Sequence, residues 1–91
     1  MRSALFSLGR LVATPAALAL LLDAGENPAA LLDRHQSGDW GEIPPEDAKE
    51  NELSVHKDFR VISSYLIGSG RVWIITEADR SSTCILLPEE Y

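Results

Sequence analysis

Apolar positions along the chain change period near residue 59, from helical clusters to strand-like alternation. Residues 5–13 open as a strand, Phe6 and Leu8 alternating with Ser7, with Gly9 and Arg10 working against it. Thr14-Pro15 then reads as an N-cap followed by proline at the first helical position, where the missing N–H costs nothing. This helix should run to about Ala24 and stop at Gly25. Its body, residues 16–22, is apolar on every side, so it should be buried on more than one face or covered by a second subunit. Asn27-Pro28 repeats the device, and "AALLDRHQ" gives a second helix ending before Gly38, with Leu31 and His35 on one face. "SGDWGEIPPED" is a loop, after which Glu46 and Asp47 favour the start of a third helix over 45–55.

"FRVISSYLI" and "RVWIIT" are rich in β-branched and aromatic residues, and the "GSG" between them predicts a hairpin. "ADRS" leads to a third strand, "STCILLP". A regular hairpin sets Tyr65 opposite Trp73 and Ile75 opposite Cys84. Val61, Tyr65, Trp73, Ile75 and Leu86 then share one face; Ile62, Leu66, Val72, Ile74, Ile85 and Leu87 share the other. In this register the "ADRSST" connection leaves Trp73 and Cys84 facing the interior. Both faces are apolar, so one should take the helices and the other the N-terminal strand or another subunit. The expected architecture is a single α+β domain over 1–91: an N-terminal strand, three short helices, then a three-stranded antiparallel meander packed on the helices.

An apolar fraction of 45% and a charged fraction of 24% are those of a globular chain. The net charge of −6 argues against direct binding to nucleic acid or an anionic membrane, and leaves room for a basic protein partner. One cysteine, Cys84, excludes an internal disulfide and a multi-cysteine zinc site, and its apolar neighbours suggest a small buried hydrophobe. The first 22 residues superficially resemble a secretory signal, with Arg2 as its n-region. Arg10 interrupts the apolar run and Asp23 ends it without a small-x-small cleavage site, so a cytoplasmic protein is expected.

Candidate chemistry is sparse. His35 and His56 form neither H-x-x-x-H nor H-E-x-x-H, and no P-loop, dinucleotide fingerprint or nucleophile elbow occurs; neither metal nor cofactor is expected. His35 and Asp39, four apart across a helix end, could meet the turn carrying Glu77, Asp79 and Arg80. That set would suit a small, nuclease-like hydrolase, whereas a histidine near a helix C-terminus and a polar turn need the same residue types. Between residues 39 and 58 lie seven acids and two lysines, −5 of the net charge. Asp39, Trp40, Glu42, Glu46, Asp47, Glu50 and Glu52 are therefore candidates for contact with a partner, or a solvated helix face.

The pattern "LGRLVATPAAL…SGDWGE", followed by "WIITEADRSSTCILLPEEY", resembles a family of short bacterial proteins of plasmids, phages and integrated elements, labelled plasmid-related and sometimes as a type I restriction–modification subunit. The likeness spans nearly the whole chain. The family pattern more usually has threonine at position 84, which counts against a role for the thiol. The resemblance implies a mobile-element setting and carries over no catalytic residue; at 91 residues the chain is far too short for a methyltransferase subunit. The leading expectation is a non-enzymatic interaction protein, binding a host or element-encoded protein such as a nucleic-acid-processing or defence enzyme through the acidic segment or an exposed sheet face. The alternatives are the hydrolase and a structural homodimer without ligand.

Overall fold

The computed structural model describes residues 4–91; Arg2, the n-region residue of the signal-like stretch, lies outside the described residues. The elements are β1 (Arg10–Ala13), α1 (Pro15–Asp23), α2 (Pro28–Gln36), α3 (Pro45–Lys57), β2 (Val61–Ile67), β3 (Gly70–Thr76) and β4 (Ser82–Leu86), with a 3-10 turn at Pro88–Glu90. The cap-plus-proline devices act as their sequence implies. Thr14 Oγ1 accepts from Ala17 N at 3.2 Å and Asn27 Oδ1 from Ala29 N at 3.0 Å. α3 has no side-chain cap, and Glu46 and Asp47 lie at its exposed N–H end.

The sheet is four-stranded and mixed, in the order β1-β4-β3-β2. Its last three strands, β2, β3 and β4, pair antiparallel in succession, and the N-terminal strand, expected against one face, instead joins the edge parallel to β4. β1 is shorter than residues 5–13 because the chain must cross the β3–β4 turn closely at Gly9. Its φ is 65°, and a Cβ there would stand 2.3 Å from the Arg80 carbonyl oxygen.

The hairpin register differs by one residue from the expected one. Gly68 and Ser69 alone form the turn, with Ile67 paired to Gly70, so Ser64 faces Trp73 and Tyr65 faces Val72; Ile75 does face Cys84. A slip of one exchanges faces. Val61, Tyr65, Ile67, Val72, Ile74 and Ile85 lie on the face beneath α1 and α2, where Tyr65, Ile67, Val72, Ile74 and Ile85 pack with Ala17, Leu21 and Leu31. Ile62, Ser64, Leu66, Arg71, Trp73, Ile75, Cys84 and Leu86 lie on the other. Trp73 and Cys84 are thus half-buried on the second face instead of facing the core.

The β2 edge is closed. Glu42 N donates to the Ser64 carbonyl and Ser64 N to the Trp40 carbonyl, at 2.7 and 3.0 Å, a short parallel bridge centred on Gly41. Farther along, the Asn51 amide donates to the Ile62 carbonyl and accepts from Ile62 N, and Glu42 Oε1 accepts from Leu66 N. Side chains from α3 and its entry loop thereby stand in for a fifth strand.

Candidate functional site

His35 is fully buried, and both ring nitrogens are occupied. Nδ1 meets Ser63 Oγ at 2.5 Å and Nε2 meets Thr76 Oγ1 at 2.9 Å. The run continues from Thr76 Oγ1 to Thr83 Oγ1, 2.7 Å, and Thr83 donates to the Leu8 carbonyl, also 2.7 Å. A carbonyl only accepts, so this last bond orients the others. Thr76 donates to Thr83, Nε2–H donates to Thr76, and Nδ1 accepts from Ser63. His35 is thereby held neutral, its pKa lowered to about 3 by burial first and by the Arg80 charge second.

The hydrolase set does not assemble around it. The Asp39 carboxylate turns to Arg34, at 2.7 Å, and this hydrogen bond raises the guanidinium pKa further. Arg34 lies over the Tyr65 ring, whose hydroxyl donates to the Asp39 carbonyl. Phe6 packs edge-on against His35, centroids 5.3 Å apart, and the Arg80 guanidinium lies over the Phe6 ring, 5.4 Å from its centroid. Arg80 donates to the Phe59 and Ser54 carbonyls, at 2.6 and 2.7 Å, and so ties the β3–β4 turn to the C-terminal end of α3. Glu77 faces Arg60 at 3.8 Å, and the Asp79 pKa is lowered within its own turn, by the Ser81 side chain first and then by the Ser81 N–H, which donates to it at 3.0 Å. His56 is exposed in the last turn of α3. Cys84 is a poor nucleophile: burial, then the charges of Glu90 and Glu77, push its thiol pKa up. Among the described residues no group of three or more His, Cys, Asp or Glu could hold a metal.

The acidic segment divides. Trp40, expected at a partner surface, is interior, 5% exposed and packed against Phe6 and His35. Asp39 belongs to the Arg34 pair. Glu46 and Glu52 are exposed on α3. Glu42, Asp47 and Glu50 line a groove of about 630 Å³ on the second sheet face.

The groove forms because α3 lies alongside the β2 edge, burying only Asn51 and Ser54, and leaves the strand side chains beside it uncovered. Its acidic wall is Glu42, Asp47 and Glu50; its floor is Ile62, Ser64, Arg71 and Trp73; Arg60 and Tyr91 stand at one end. Arg71 is anchored to Ser64 Oγ and to the Glu42 carbonyl, and Arg60 donates to the Tyr91 hydroxyl. Trp73 and Tyr91 meet edge to face at 5.6 Å. Asp47 and Glu50 make no ion pair with a described residue, so the negative wall is free to meet a cation. The arrangement suits binding through charge, apolar contact and ring faces. Sequence reasoning missed Ile62, Ser64, Arg71, Trp73 and Tyr91 as groove residues, because the expected register turned Trp73 inward, and the observed one turns it to the groove.

Among the described residues no helix is long and apolar enough to cross a membrane. No family model matches the chain, and no curated protein or solved structure matches it either.

Proposed function

We propose that this chain is a non-enzymatic interaction protein of a mobile element, and that its groove takes a basic and apolar segment of a host or element-encoded protein. The observation that carries this reading is the groove itself, where Asp47 and Glu50, with no ion pair among the described residues, face Ile62 and the rings of Trp73 and Tyr91, while Arg71 is held by Ser64 and the Glu42 carbonyl. Aromatic residues and arginine are the usual anchors of protein interfaces, and a free acidic wall favours lysine or arginine on the incoming chain. The overall charge of −6 acts in the same direction and against a nucleic-acid ligand. The mobile-element setting rests on the family resemblance, which suggests a nucleic-acid-processing or defence enzyme as partner.

The test titrates the protein with peptides alternating lysine and leucine, observed through the Trp73 indole and Tyr91 ring resonances. Saturable shifts at these residues, abolished in Asp47→Lys/Glu50→Lys, are expected. Equal shifts with a glutamate–leucine peptide, or none with either, would overturn the reading.

A further inference from the structure

The two edges of the sheet are treated differently. β2 is bonded on its outer side at Ile62, Ser64 and the Leu66 N–H, whereas β1 has no strand on its outer side among the described residues. Arg10 N donates to the Ser81 carbonyl, just before β4, and Thr14 N to the Ile85 carbonyl within it, at 3.0 and 2.9 Å. Alternation along a strand therefore points the amides and carbonyls of Leu11 and Ala13 outward. The side chains beside this edge are apolar and open: Leu11 is 55% exposed, Val12 42%, and Leu22 of the adjacent α1 80%. An uncovered edge of this kind is a template for another strand.

We infer that β1 pairs antiparallel with β1 of a second copy about a two-fold axis at Val12. This register sets Leu11 against Ala13 of the other copy, twice, using all the outward amides and carbonyls of those residues. It also sets Arg10 against Thr14 of the other copy. Thr14 Oγ1 donates to Glu90 Oε1 at 2.7 Å, so a carboxylate waits beside that position. Arg10 is exposed and has no ion pair with a described residue. A guanidinium with no ion pair among the described residues at one end of the strand and an exposed carboxylate at the other match under the two-fold, and this charge complementarity selects a second copy as occupant. The continuous sheet brings the apolar, half-uncovered α1 helices of both copies to the same side. None of this involves the groove, which lies at the β2 side.

Sedimentation equilibrium of the full chain tests the pairing. A concentration-dependent dimer is expected. Val12→Lys, which sets two cations on the axis, and Arg10→Glu, which sets acid against acid, should each weaken it about tenfold or more. Both sites are exposed, so circular dichroism should show the monomer fold retained. Arg10→Glu with Glu90→Arg should recover association lost in Arg10→Glu alone. A monomer at every soluble concentration overturns the inference, whether or not it takes up a foreign strand. A dimer indifferent to Val12→Lys and Arg10→Glu overturns it equally.

Discussion

His35 Nε2 stands 2.9 Å from Thr76 Oγ1 as donor to an oxygen whose own proton is already committed to Thr83. The histidine is therefore a link in a directional run of hydrogen bonds through the core, and taking up a second proton would force the Ser63 bond to reverse and leave a charge buried there.

The folded chain resists that proton down to about pH 3, while an unfolded histidine takes it near 6.5. The unfolded state then binds more protons across this window, so stability is complete above 6.5 and falls as pH drops. Urea unfolding at pH 7 and pH 5 should differ by roughly 1.4 kcal/mol per unit below 6.5. The lowered carboxylates Asp79 and Glu90 act in the same direction only at more acid pH. His35→Gln should remove the pH 7-to-5 difference and cost about 1–3 kcal/mol at pH 7, through hydroxyls left without partners. An unchanged slope in the variant would count against the assignment.

Tyr65 gives the alkaline counterpart. Burial raises its pKa from 10 to about 12. Above pH 10 the unfolded chain loses a proton that the folded chain keeps, so stability should fall as pH rises from 10 towards 12. Tyr65→Phe should flatten this limb when unfolding is followed by circular dichroism.

Arg80→Ala should destabilise the fold by about 2 kcal/mol, since two carbonyls near the end of α3 lose a charged donor. Arg80→Lys should not restore it, because one ammonium cannot reproduce the fork that reaches Ser54 and Phe59 together. Amide exchange should quicken in the last turn of α3 and leave the β2–β3 hairpin protected.

Gly41 has a φ of 77°, and a Cβ there would fall 2.1 Å from the Ser64 carbonyl oxygen. Gly41→Ala should therefore cost about 3 kcal/mol and lower the thermal midpoint accordingly. Gly25 also has positive φ but open space around it, so Gly25→Ala isolates the backbone contribution.

What was legible in the sequence was local. Thr14-Pro15 and Asn27-Pro28 announce two helices because cap and proline act within one turn, and the hairpin follows from its glycines. The register was not legible: "GSG" accommodates a two- or a three-residue connection, and the alternatives differ only in which face meets the helices. Nor was the β1–β4 pairing, which joins residues more than seventy positions apart with no local signal. The His35 network failed to show for the same reason, since Ser63, Thr76 and Thr83 are ordinary strand residues until the sheet aligns them. The groove combines both difficulties, a slipped register and a helix lying beside an edge.

The Asn51 amide, bonded to both the N–H and the carbonyl of Ile62, has a further consequence for assembly. It occupies the outward N–H and carbonyl of the middle of the β2 edge, which leaves β1 as the edge open to pairing among the described residues. Two copies joined at β1 as inferred above would present bonded β2 strands at both outer limits, so growth of the sheet would halt at the pair and a small acidic chain with one open edge would not run on into a fibre.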